Sequence, residues 1–331
     1  PGPHDHGHLE VTPMMNALAL PLPMDSTDTS LWNKLFDFSD YGQLVALLTN
    51  SILAGAVLSV VGGLIAVFVM QRDMAFAVHG ISELSFSGGA AGLLFGIGVV
   101  KGALVGSLIA AALIGLMGSK ARDRNSIIAV LMPFGLGLGI LFLSLAPGRT
   151  ANKFGLLTGQ IVAIDDPRLD ALTIISVIVT LGLLAIWRPL TFASMDPDVA
   201  EARGVPTRFL SLAFMMLLGL AVAVSVQIVG ALLVLSILVT PAAAAMRLSS
   251  SPVVVPLLSV LFAFISLVGG IMLSLGASVP VSPYVTTISF LIYLIANGVW
   301  HLRNARQRRA VAATEAAEIA RREAEGAPAT H

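Results

Sequence analysis

Two ionisable side chains, His79 and Glu83, lie four residues apart in the apolar stretch Ala77–Phe86. At helical spacing they share one face, with Cβ atoms about 6 Å apart. An imidazole and a carboxylate in that arrangement suit a borderline divalent cation such as zinc or manganese. The same pair can equally do no more than hydrogen-bond to each other, or sit shallow enough to be wet. Ionisable groups inside apolar spans are costly, which makes each of them a functional candidate by default. The chain has no Cys, so thiolate sites are excluded and His, Asp and Glu are the strong side-chain ligands that remain.

A second feature is the loop Ser194–Pro206. Asp196 can cap a helix whose first residue is Pro197, Gly204 is placed to stop it, and Pro206 prevents its return. The expected product is a short helix between two membrane spans, either a solvated linker or a docking element for a cytosolic partner. In the third feature, the apolar run Val229–Ala245, Pro241 breaks the backbone ladder. In a membrane such a break is tolerated only where neighbours or a polar cavity satisfy the freed carbonyl, and a simple kink is the plain alternative.

The elements that must position these residues are set by composition. Of 331 residues, 56% are hydrophobic and 11% are charged, and the mean hydropathy is +0.90. Soluble domains carry about 25% charged residues, so the chain is expected to be an all-α, polytopic transmembrane helical bundle. Spans are expected near 44–70, 77–98, 101–118, 126–146, 169–187, 208–227, 229–246, 253–275 and 282–301. The sixth and seventh touch, which leaves the count at eight or nine. Basic residues collect at 119–125, 188–208, Arg247 and 303–309, all on one side in the nine-span count. The positive-inside rule makes that side cytoplasmic.

The expected organisation is therefore an extracytoplasmic segment 1–43, a transmembrane domain 44–301 and a cytoplasmic tail 302–331. The first residues, with His4, His6 and His8, read either as a tag-like addition or as a metal-catching tail. The formal net charge is zero, with the charges between apolar runs, so nothing points to nucleic acid. Glycine patterns such as Gly135-x-Gly137-x-Gly139 serve helix packing in this setting rather than nucleotide binding.

Taken together, the three segments resemble the permease family of zinc, manganese and iron ABC importers, the ABC-3 family, from about Leu44 to Trp300. His79-Gly80-Ile81-Ser82-Glu83 with Gly88 aligns with the family's Gly-Asp-Ala-x-Ser-His-Ala-x-Leu-Pro-Gly stretch. Ser194, Asp196, Pro197, Ala200, Gly204 and Pro206 match its Ser-x-Asp-Pro-x-x-Ala-x-x-x-Gly-x-Pro loop. Val229–Ala242 meets its Val-Gly-x-Leu-Leu-Val-x-x-Leu-Leu-x-x-Pro-Ala signature. One departure stands out: the family places Asp first and His four residues on, whereas here His79 comes first and the carboxylate, Glu83, second.

The resemblance implies a permease of the cell (inner) membrane that works as a homodimer and passes zinc or manganese as substrate, with no permanently bound cofactor. It implies an ABC ATPase subunit on the cytoplasmic side and an extracytoplasmic metal-binding protein. The chain itself carries no phosphate-binding Gly-x-x-x-x-Gly-Lys-Ser/Thr loop, so it is expected to be a transport subunit and not an enzyme. The resemblance makes His79 and Glu83 the transit ligands and makes the loop with Asp196, Pro197, Ala200, Glu201, Gly204 and Pro206 the ATPase-coupling helix. The rival is a secondary transporter or channel that is not ATP-coupled; it calls for internal repeats and buried acids, neither of which stands out.

Overall fold

A computed structural model describes residues 48–117, 121–146, 164–231, 233–275 and 281–324. Residues 1–47, with His4, His6 and His8, and residues 118–120, 147–163, 232, 276–280 and 325–331 lie outside the described residues. The described chain is helical, with no strand among those residues: α1 (Thr49–Gln71), α2 (Ala75–Leu94), α3 (Val99–Met117), α4 (Ala121–Leu145), α5 (Asp166–Met195), α6 (Pro197–Ala202), α7 (Thr207–Val229), α8 (Val234–Leu238), α9 (Thr240–Leu248), α10 (Val254–Ser274) and α11 (Val281–Ala324). In an apolar medium only structures that satisfy their own backbone groups can span, and helices do so within one segment.

Among the described residues, seven helices are long and apolar enough to cross a membrane, fewer than the eight or nine expected. Two expected spans drop out for different reasons. α2 is 20 residues long, but His79, Glu83 and three serines dilute its hydropathy. The expected seventh span is not one helix: α7 ends at Gly230, whose φ is +86°, and the run that follows is split between α8 and α9 at Val239. Pro241 lies in the first turn of α9, where a missing N–H costs no helical bond. α11 carries on past the expected end of the last span, through Ala324.

α1 and α7 are the most enclosed of the seven, while α3, α4, α5 and α11 turn broad apolar faces outward. With no hydrophobic drive between helices in lipid, close packing and interhelical hydrogen bonds must hold the bundle together. α2 and α3 supply the closest approach, through Gly88 and Gly92 on one and Gly102 and Gly106 on the other. A Cβ on Gly88 would meet the Gly102 carbonyl oxygen and would lie 2.9 Å from the Gly106 Cα. Serine hydroxyls tie other pairs: Ser259 of α10 donates to the Gly63 carbonyl of α1 at 2.7 Å, and Ser289 of α11 donates to the Ser236 carbonyl of α8 at 2.9 Å.

The bundle has two distinct ends. At one, Asn50 at the start of α1 donates to the Asp166 carboxylate at the start of α5. At the other, the ends of α1, α5 and α9 and the start of α10 surround a cavity of about 430 Å³ lined by Gln71, Trp187, Ser194, Met246 and Ser250, among others. α6 lies at this second end, and so does Arg303 of α11, which donates to the Leu248 carbonyl at 3.0 Å.

Candidate metal-transit pair and coupling loop

α2 follows α1 almost without a linker. Asp73 adopts φ +52°, the Met74 N–H bonds to the Val69 carbonyl at 2.8 Å, and the Asp73 N–H bonds to the Met70 carbonyl at 3.4 Å. This pattern is a Schellman cap. It ends α1 in a rigid elbow and starts α2 one residue later. His79 is therefore about one helical turn from the elbow, and Glu83 one turn deeper.

The pair faces α4. Gly135 of α4 lets its backbone approach Glu83 closely, since a Cβ there would lie 3.1 Å from the Glu83 carbonyl carbon. The Glu83 side chain is buried, and that of His79 is partly exposed. His79 Nε2 and Glu83 Oε1 stand 3.8 Å apart, beyond hydrogen-bonding range, so the two groups do not satisfy each other. Two more atoms of the pair, His79 Nδ1 and Glu83 Oε2, are buried without a hydrogen-bond partner. Leaving a buried polar atom unpaired costs about 1–3 kcal/mol, so both groups are held at a cost and are open to a partner. Two ligand atoms each about 2.1 Å from one tetrahedral ion stand roughly 3.4 Å apart, so the 3.8 Å gap between Nε2 and Oε1 is a small side-chain adjustment away from seating a shared cation. Among the described residues no group of three or more His, Cys, Asp or Glu could hold a metal. One described chain thus offers two ligands at this point.

The loop after α5 is built as a tight helical hairpin. The Asp196 carboxylate accepts the Val199 N–H at 3.0 Å, and Pro197 is the first residue of α6. Ala200 is fully buried beneath the helix, while Glu201 faces outward. Gly204 adopts φ +79°, and the Val205 N–H returns to the Ala200 carbonyl at 3.0 Å. Pro206 caps α7. Met195 and Val199 are exposed beside the acidic residues, so α6 presents a mixed apolar and charged surface at the end of the bundle.

Arg72 drew no functional reading from the sequence. Its guanidinium reaches across this end to Ser194 and Ser211, on either side of α6. The only sequence signal was the charge break Gln71-Arg72-Asp73.

Comparison with known proteins gives a consistent picture. A family model described as "ABC 3 transport family" matches residues 45–299. The manganese transport system membrane protein MntC of Listeria innocua is 30% identical over 258 residues, 77% of this chain and 90% of that protein. The high-affinity zinc uptake system membrane protein ZnuB of Haemophilus influenzae is 26% identical over 251 residues, 76% of this chain and 96% of that one. Among solved structures, PsaBC from Streptococcus pneumoniae in complex with Fab aligns with a TM-score of 0.71 at 25% identity, covering 78% of this chain and 95% of that chain.

Proposed function

The chain belongs to the ABC 3 transport family, and on that premise we propose that it is the membrane-spanning permease subunit of an ATP-driven importer for manganese or zinc. The observation that carries the reading is the His79–Glu83 pair: two metal-ligating side chains on one helical face, with a buried unpaired atom on each. Relatives named for manganese and zinc systems support both ions as substrates.

Two ligands bind an ion less tightly than a closed four-ligand cage would, and a transit site must release what it admits. A second copy of the chain brings a second pair. The homodimer axis between them is where four ligands briefly replace the ion's water shell. α6, with Asp196 and Pro197 at its start, buried Ala200, exposed Glu201, and Gly204 and Pro206 at its end, is the coupling helix on which a separate ABC ATPase subunit docks. Hydrolysis belongs to that subunit, and an extracytoplasmic metal-binding protein delivers the ion.

Helix ends support nine crossings in the inner membrane. The ends of α1, α5 and α9 meet at the α6 side, so α2 and the broken α8–α9 each traverse despite their composition or length. That side, with Arg124, Arg203, Arg247 and Arg303, is cytoplasmic, which places residues 1–43 outside and the tail from 302 inside.

The test is copurification. The chain expressed with the ABC ATPase subunit of its own transport system should form a complex whose ATP turnover rises with manganese or zinc and the delivery protein. A chain that drives metal flux without any ATPase subunit would instead be a secondary transporter or channel.

A further inference from the structure

We infer that Arg72 is a positioning residue for transport: it transmits movement of the α6 hairpin to the α1–α2 elbow and thereby to the His79–Glu83 pair. The inference rests on the permease reading, and it assigns a part to a residue that neither binds the ion nor lies in the docking loop.

Three observations carry it. First, Arg72 Nη1 donates to Ser194 Oγ at 3.3 Å and Nη2 donates to Ser211 Oγ at 3.0 Å. Ser194 is two residues before the Asp196 cap of α6, and Ser211 is in the first turns of α7. One planar fork therefore holds both legs of the hairpin, a geometry that Lys cannot reproduce. The Ser194 hydroxyl is already oriented, because it donates its own proton to the Leu190 carbonyl at 2.6 Å. The guanidinium also stands 5.8 Å from the Phe214 ring centroid.

Second, Arg72 is the capping residue of α1, and the Schellman turn from Arg72 to Met74 leads into α2 with no flexible linker. Arg124 of α4 donates to the carbonyls of Arg72 and Asp73 at 3.3 and 3.4 Å. The elbow is thus fixed from both sides, and a displacement of Arg72 displaces the start of α2 as a body. Third, His79 sits about one turn along α2 from that elbow, and Glu83 one turn further. Coupling between separated sites is carried by hydrogen bonds and rigid elements that join them. Here the chain of contacts from Ser194 and Ser211 to His79 is continuous.

The experiment uses the complex of this chain with its ATPase subunit in liposomes, with manganese(II) ions and the delivery protein. It reads ions imported per ATP hydrolysed. In Arg72→Ala the ATPase stays bound and hydrolysing, and the ratio falls about tenfold, as expected for the loss of charged hydrogen bonds. The double variant Ser194→Ala/Ser211→Ala, which keeps the arginine and removes its acceptors, gives the same fall. The triple combination falls no further, because both changes cut one connection. If Arg72→Ala fails to fold, the double-serine variant alone decides.

A ratio within about twofold of the unaltered complex in the folded variants, even with lowered thermal stability, makes Arg72 a structural clamp only and overturns the inference. Independent, multiplying losses overturn it as well. An unaltered complex that imports no metal would overturn the permease reading itself, and that outcome is distinct from a failure confined to the Arg72 and serine variants.

Discussion

The packing of α2 on α3 can be tested with two alanines placed in helices of this bundle. In Gly88→Ala the new methyl would lie 2.9 Å from the Gly106 Cα and 3.0 Å from the Gly106 nitrogen, and closer still to the Gly102 carbonyl oxygen. All three are backbone atoms, so no side chain can rotate away. Carbon atoms pack at about 3.5–4.0 Å, so the two helices must part by at least about 0.6 Å. Such a gap forfeits about a quarter or more of each contact's attraction along the seam. Overpacking of this kind costs about 1–3 kcal/mol.

Gly137→Ala in α4 is the matched control, since its Cβ would have nothing within 4 Å. Helix propensity favours alanine there by up to about 1 kcal/mol. Unfolding in mixed detergent micelles, followed by far-ultraviolet circular dichroism, should therefore rank Gly137→Ala at or above the unaltered protein and Gly88→Ala clearly below it. Equal midpoints for the two variants would refute the claim that the α2–α3 approach requires glycine.

Two further predictions concern the loop and the pair. Gly204→Val meets no steric neighbour but forces a β-branched residue into φ +79°, at a cost of about 1–2 kcal/mol; retention of the ATPase subunit in a pull-down should drop, and unchanged retention would leave the loop a linker. An imidazole must give up its proton before it can ligate a metal, so uptake should decline as pH falls and His79 becomes protonated. The His79→Asp variant should shift the decline toward pH about 4, where carboxylates deprotonate; identical profiles for an active variant would remove His79 from the path.

Much of the bundle is legible in the sequence because the lipid phase demands long apolar helices. The expected spans over α1, α3, α4, α5, α7, α10 and α11 correspond to helices with shifted ends. Hydropathy fails where backbone geometry decides. The stretch 229–246 is apolar apart from Ser236 and Thr240, and nothing in its hydropathy shows that Gly230 takes φ +86° or that Val239 interrupts the ladder between α8 and α9. α5 runs on to Met195 past Pro189, beyond the expected end at 187, since a proline inside a membrane helix need not end it where neighbouring groups satisfy the freed carbonyl.

At the site, the i,i+4 spacing of His79 and Glu83 is visible in the sequence, but their 3.8 Å separation and their unpaired atoms depend on side-chain conformation and tertiary packing. Arg72 was opaque for a plain reason. Its acceptors are 122 and 139 residues away in the chain, and no local pattern encodes a contact of that range.

The central claim is that ATP-driven metal import passes through the pair on α2. The direct measurement is uptake of radioactive manganese or zinc by liposomes holding the complex of this chain with its ATPase subunit and delivery protein, comparing the unaltered chain with a folded Glu83→Ala variant at matched protein density. The account predicts ATP-dependent uptake by the unaltered complex and its abolition in Glu83→Ala, with the ATPase still bound. Undiminished uptake by Glu83→Ala would contradict it.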